Sequence, residues 1–219
     1  MQFHADLLQR AVVDSTSLPW MASPSAGVER RLLERDGGEV ARATSVVRYQ
    51  PGARFAAHDH DGGEEIFVLQ GELCDELGRY TAGTWIKNPV GSRHAPCTET
   101  GCLLLVKLRH LDPADQVRQV IDTRQGEWGP GRAAGVDGLT LDRFGDTLTG
   151  LVRFSPGARS TFHSHPGGEE LFVLEGSFAD EHGHYPTGTW VRSPHGSSHL
   201  PYSEEGCLLF SKTGHLPRA

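Results

Sequence analysis

Two histidines two residues apart, His58 and His60, stand in the run His58-Asp59-His60-Asp61-Gly62-Gly63-Glu64-Glu65-Ile66-Phe67-Val68-Leu69. On an extended strand, residues two apart leave the same face, so both imidazoles point one way. Gly62 and Gly63 let the chain bend, and Glu64 opens a second, apolar run. A third histidine, His94, follows the turn Asn88-Pro89-Val90-Gly91. Three imidazoles and a carboxylate converging inside a β-structure suit a first-row divalent ion. The set recurs at unchanged spacing as His163, His165, Glu169 and His199, while residues between have drifted: Asp59 answers to Ser164, Asp61 to Pro166 and Val90 to His195. A donor set kept amid such drift is not a scatter of surface histidines.

Glu64 and Glu65 compete for the carboxylate role, as do Glu169 and Glu170. Side chains alternate along a strand, so only one of each pair can face the ion. The other lies on the far face or orients a donor from behind.

The elements that must position these donors follow from a repeat. Residues 46–111 align with 151–216 at a constant offset of 105, with 36 of 66 pairs identical. Upstream the offset is 108, pairing Val12-Val13-Asp14 with Val120-Ile121-Asp122 and Trp20 with Trp128. The three extra residues fall near Asp36-Gly37-Gly38, where a loop insertion costs little. Two copies of one domain are expected, 1–114 and 115–219. Within a copy, short runs at 45–49, 65–69, 72–75, 84–87 and 102–108 alternate with Gly- and Pro-rich turns, which predicts an all-β sandwich or barrel. The stretch 5–12 reads equally as an amphipathic turn or a strand. The stretch 111–118 reads as a short helix, with Asp112 as cap and Pro113 in its first position.

Composition supports this and excludes other classes. The 219 residues include 27 Gly and 13 Pro, which favours short strands and turns. A formal net charge of −7 argues against nucleic-acid binding or a polybasic membrane surface. No apolar run is long enough to span a bilayer, and the first ten residues lack a signal-peptide layout, so a cytoplasmic protein is expected. The four cysteines form no C-x-x-C pair and are expected to be reduced.

The pattern G-x5-H-x-H-x3-E-x6-G over 52–71, followed by G-x5-P-x-G-x2-H over 83–94, resembles the two cupin motifs, and 157–176 with 188–199 fits equally. Gly-Gly-Glu-Glu, Asp75-Glu76-x-Gly78-x-Tyr80, Gly83-Thr84-Trp85 and Gly91-Ser92 are similar to the ChrR-type cupins, named for a zinc-binding anti-sigma factor. The resemblance implies a bicupin of two jelly-roll β-barrels. It also implies four metal donors per barrel: His58, His60, Glu64 and His94, then His163, His165, Glu169 and His199. Its spacing selects Glu64 over Glu65. Two departures stand out: Thr98 and Ser203 replace the Asn that often ends the second motif, and the anti-sigma factor's H-x3-C-x2-C domain has no counterpart. Sigma-factor binding is therefore not expected.

Other repeated residues have plainer readings. Cys102 and Cys207 read as buried small hydrophobes, and Trp85 and Trp190 as core. Lys107, Lys212, His110 and His215 read as solvated or interdomain. His182 and His184 read as surface, at a hairpin tip. Cys97 answers to Tyr202 and so is outside any shared donor set.

Two function classes follow. One is a mononuclear metal-dependent oxygenase, of dioxygenase type, acting on a small organic molecule, with one divalent ion (Zn, Fe, Mn or Ni) per domain. The other is a non-catalytic, ChrR-like zinc-binding sensor or regulatory module. Around the donors, repeat one offers Phe55, Ala57, Asp59, Asp61, Val90 and Cys97, and repeat two Ser160, Phe162, Ser164, Pro166, His195 and Tyr202. Different linings suggest that the two sites treat a ligand differently. A small-molecule ligand is the expected partner, and a homodimer is an assembly the sequence allows.

Overall fold

The computed structural model describes residues 1–218. They form two compact units: residues 1–5 with 17–125, and residues 6–16 with the chain from Gly126 on. Each is an all-β jelly roll whose strands pair antiparallel. In the first barrel the main sheet runs Val28–Gly37, Ala41–Tyr49, Cys102–Leu108, Glu64–Asp75, Thr84–Asn88, Gln119–Asp122. A two-stranded ribbon, His58–His60 against Ser92–His94, carries three of the expected donors. The second barrel repeats this with Val136–Phe144, Thr147–Phe154, Cys207–Thr213, Glu169–Asp180, Thr189–Ser193 and Ala11–Asp14, plus the ribbon His163–Ser164 against Ser198–His199.

Alternation along these strands sends one set of side chains inward. Ile66, Val68, Leu104, Val106 and Leu73 pack together in the first barrel, and Leu171, Val173, Leu209 and Phe178 in the second. Two runs expected as separate strands, 65–69 and 72–75, form one strand, Glu64–Asp75. It passes through Gly71, whose φ is +73° and where a Cβ would run into the Gly101 carbonyl. Only glycine tolerates both constraints, so the strand can change its pairing partner without ending. Gly63 plays the same part at the bend before Glu64: its φ is +70°, and a Cβ would meet Leu111 at 2.6 Å.

The last strand of each main sheet comes from the other half of the sequence. Gln119–Asp122 pairs with Thr84–Asn88, Ile121 opposite Trp85. Ala11–Asp14 pairs with Thr189–Ser193, Val13 opposite Trp190. Matching hydroxyls fasten the ends: Thr123 Oγ1 donates to the Gly83 carbonyl at 2.6 Å, and Ser15 Oγ to that of Gly188, also at 2.6 Å. The halves 1–114 and 115–219 thus mark the sequence repeat, whereas the compact units trade one strand each. The stretch 5–12 resolves into a turn leading to the strand Ala11–Asp14.

Three expectations are corrected. Residues 111–118 hold turns and no helix: Asp112 accepts from the Ala114 amide at 2.8 Å, and the only short helix among the described residues is the 3-10 turn Thr123–Gln125. A capping aspartate followed by proline serves a tight turn as well as a helix start, and no apolar face follows to prolong it. Cys74 and Cys97 are joined in a disulfide, Cα–Cα 4.9 Å, where reduced thiols were expected. Backbone pairing between the same residues, Cys74 N–H to Cys97 O at 2.7 Å and the reverse at 2.6 Å, brings the two sulfurs together. Lys107, Lys212, His110 and His215 are not solvated: both lysines are buried, with Lys107 Nζ 3.1 Å from Thr44 Oγ1 and Lys212 Nζ 3.3 Å from Thr149 Oγ1, and the histidine side chains are likewise covered. Cys102, Cys207, Trp85 and Trp190 are buried, and His182 and His184 exposed, as their sequence context suggested.

Candidate metal centres

In each barrel the ribbon register sets two imidazoles directly opposite: His94 faces His58, and His199 faces His163. The i+2 spacing adds His60 and His165. The ring centroids of His58, His60 and His94 lie 4.7 to 5.3 Å apart, and those of His163, His165 and His199 4.8 to 5.0 Å apart. Within each trio, nitrogen atoms lie within 4.8 Å of one another. Glu64 enters from the main sheet, its Oε2 3.3 Å from the Nε2 of both His60 and His94. Glu169 Oε2 lies 3.4 Å from His165 Nε2 and 3.6 Å from His199 Nε2. The structure therefore brings together each expected set of three histidines and one glutamate. Glu65 points away and pairs across the sheet with Lys107 and Lys87 positions. Glu170 accepts from Trp190 Nε1 at 2.9 Å and meets His215 Nε2 at 2.6 Å.

The far nitrogen of two imidazoles in each barrel is tied down, which aims the near one inward. His58 Nδ1 is 2.8 Å from the Ala56 carbonyl, and His163 Nδ1 is 2.7 Å from that of Thr161. His94 Nδ1 is 3.3 Å from Asp75 Oδ2, and His199 Nδ1 is 3.1 Å from Asp180 Oδ2. Those aspartates are held by Tyr80 at 2.8 Å and Tyr185 at 2.9 Å. The tyrosines in turn accept from Arg118 at 2.8 Å and Arg10 at 2.6 Å, side chains delivered by the traded segments. Sequence reasoning missed this chain of contacts. Its signal was present: Asp75 and Tyr80 recur at the 105 offset, Arg10 and Arg118 at 108.

The Nε2 atoms of His60, His94, His165 and His199 are buried without a hydrogen-bond partner. An unsatisfied buried polar atom costs ~1–3 kcal/mol, and two such nitrogens at each centre fit a cation there. Three neutral imidazoles and one carboxylate match a divalent transition ion.

Electrostatics separate the two centres. Burial would raise the Glu64 carboxyl, but the His94 and His60 imidazoles and the Asn88 amide, which donates to Oε2 at 3.0 Å, hold it down at about 2. Position 193 is serine, and burial pushes Glu169 up to about 7, with His199 and Arg132 offsetting only part. Burial also drives His165 down to about 3. His94 is raised to about 9 because the Asp75 and Glu64 carboxylates outweigh its burial.

A cavity of about 510 Å³ in the first barrel reaches His58, His60, Glu64 and His94, and one of about 230 Å³ in the second reaches His163, His165, Glu169 and His199. Phe55, Asp59 and Asp61 line the first, and Ser160, Ser164 and Pro166 the second, as expected, whereas Ala57, Val90, Phe162 and Tyr202 line neither. Cys97 instead lies in its disulfide, and His195 Nδ1 accepts from the Gly167 amide at 2.8 Å.

A family model described as the ChrR cupin-like domain matches residues 8–112 and again 116–217. No curated protein matches the sequence. Among solved structures, the chain is similar to a presumed dioxygenase from Nostoc punctiforme, with TM-score 0.77 and 15% identity over 94% of this chain and 82% of that one. It is similar to protein Ylba from E. coli, with TM-score 0.73 and 14% identity over 98% and 95%. It is also similar to the Bacillus subtilis oxalate decarboxylase studied for its Mn(II) centres, with TM-score 0.66 and 14% identity over 95% and 78%. At such identity these likenesses establish the fold alone.

Proposed function

Because the chain belongs to the ChrR cupin-like family, with two copies in tandem, we propose that each barrel binds one divalent transition ion and that the protein is a mononuclear metal-dependent oxygenase of a small organic molecule. The observation that carries this reading is the first cavity: a ligand-sized space opens directly onto the donors. A purely structural ion needs no such access, whereas a catalytic one keeps a position open to substrate. His58, His60, Glu64 and His94 would hold the first ion, and His163, His165, Glu169 and His199 the second. The bound ion would supply a Lewis-acid and redox centre.

The chain's own residues do the rest. Asp75 and Asp180 orient His94 and His199. Apolar walls exclude water, and Glu64, already ionised, offers charge to the cation. Glu169, raised by burial to about 7 in the metal-free chain, would give up its proton as it takes the second ion. The second reading, a zinc-binding sensor, draws on the family itself and on a donor set able to close around zinc.

Elemental analysis of protein purified without added metal decides between them. Close to two ions per chain are expected. Iron or manganese, with oxygen uptake on a panel of small organic molecules, supports the oxygenase. Tightly held zinc with no oxygen uptake selects the sensor. Less than half an ion per chain after reconstitution overturns both.

A further inference from the structure

The walls of the two cavities can be compared position by position through the repeat: three apolar positions of the first turn polar in the second, while Asp59 and Asp61 give way to Ser164 and Pro166. Phe55, Val106 and Leu108 in the first cavity become Ser160, Ser211 and Thr213 in the second. Leu73, which lines the first, becomes Phe178, a ring packed into the core against Tyr185 with centroids 4.6 Å apart. The changes replace apolar wall by hydroxyls and fill part of the space, consistent with about 510 Å³ against about 230 Å³.

The mouths differ as well. The three-residue insertion lengthens the first hairpin, so that Glu39 and Val40 join the cavity wall, with Arg30 Nη1 3.4 Å from Glu39. In the second barrel, glycine stands at the position of Arg30, and Pro24 is replaced by Arg132, an exposed guanidinium on the cavity rim. One mouth is self-neutralised above a greasy chamber; the other carries a cation above a smaller one whose apolar wall is broken by hydroxyls.

We propose that the barrels take different ligands: the first a small molecule with a metal-chelating polar head and an apolar tail, the second a compact anionic chelate without a tail. This rests on the reading that each histidine trio holds an ion. The physical basis is area. A tail laid along Phe55, Val106 and Leu108 leaves water, each methylene improving affinity about fourfold until the chamber is full. In the second barrel the same methylenes would meet hydroxyls and Phe178, and the tail finds no room.

The test uses the full chain, zinc-loaded, with one site disabled at a time: His199→Ala to isolate the first barrel and His94→Ala to isolate the second, each checked to carry one zinc ion. Straight-chain hydroxamic acids from acetohydroxamic to octanohydroxamic acid are titrated by calorimetry; their heads chelate and only their tails vary. Expected is a rise of about fourfold per methylene over the first several carbons in the first barrel, and a flat or falling series in the second. Val106→Ser with Leu108→Thr, added to His199→Ala, should flatten the first series while leaving its zinc content and its acetohydroxamic acid affinity in place. Equal slopes in the two barrels, or no slope in the first, overturn the ligand assignment while the metal reading stands. Absence of acetohydroxamic acid binding from both zinc-loaded barrels likewise overturns the ligand assignment, whereas failure of both variants to take up zinc overturns the metal reading, and the proposal with it. None of these outcomes depends on turnover.

Discussion

The two barrels present the same three histidines and one glutamate at nearly the same distances, yet their carboxylates behave as different acids. Glu64 is held at about 2 and Glu169 at about 7. No donor differs. The difference lies in how they are held: His94 and His60 stand 3.3 Å from Glu64 where His199 and His165 stand 3.6 and 3.4 Å from Glu169, and Asn88 adds a smaller contribution, a hydrogen bond to Glu64 at a position where the second barrel has Ser193. A donor set fixes which ion can bind; its neighbours fix the protonation state from which binding starts.

The strongest way to break the comparison is to remove a donor from one side. His94→Ala or Glu64→Gln should empty the first barrel, lowering its metal affinity by more than a hundredfold, and leave one ion in the second. Glu65→Gln should leave both ions in place, because Glu65 faces away. Metal content of the three variants after equal dialysis checks this; an empty chain after Glu65→Gln would mean that the register is off by one residue.

The disulfide offers the next largest contrast, since the second barrel has Ala179 and Tyr202 where the first has Cys74 and Cys97. Closing a loop of this length stabilises by ~3 kcal/mol in the chain-entropy picture. Reduction should lower the melting temperature of the first barrel's transition and spare the second's, as followed by calorimetry with and without reductant.

Behind the donors the barrels should behave alike. Asp75→Asn and Asp180→Asn each remove the charge that orients an imidazole, and each should weaken its own site about ten- to a hundredfold in a competition titration with a chelator. Unequal losses would show that the two chains of contacts are not equivalent.

The smallest expected effect sharpens the comparison most. In metal-free protein, the raised Glu169 carboxyl contributes stability that is full below its unfolded value of 4.5 and is lost as pH rises through about 7. Ser193→Asn supplies the missing donor and should remove part of that loss, by about 1 kcal/mol. Asn88→Ser should impose a similar loss on the first barrel. Thermal melts of chelated protein at pH 5 and pH 8 read both.

Much of this was legible beforehand. The donors, the repeat and the β architecture follow from spacing, since a period of two and a constant offset are local properties of the chain. Glu64 over Glu65 required only alternation plus a family spacing. What local pattern could not reveal was partnership at a distance. Val12 and Val120 were recognisable as equivalents, but nothing in either run says which sheet it will join. Lys107 and His110 looked solvated because burial of a charge depends on neighbours contributed by other strands. Cys74 and Cys97 looked like unrelated thiols because their 23-residue separation carries no sign of the backbone pairing that brings them together.

The traded strands also set a timetable for synthesis. Arg118 meets Tyr80 only 38 residues upstream, so the first barrel can close within seconds of its last strand leaving the ribosome. Arg10 must wait for Tyr185, 175 residues downstream, on the order of 10–35 s at ordinary elongation rates. Throughout that wait Ala11–Asp14, three apolar residues followed by an aspartate, is an open edge looking for a partner. The nascent chain is therefore most exposed to mispairing not where it is growing but at a segment made long before, and the first barrel's own Thr84–Asn88 strand, whose proper partner emerges only later, is the nearest wrong place for it to settle.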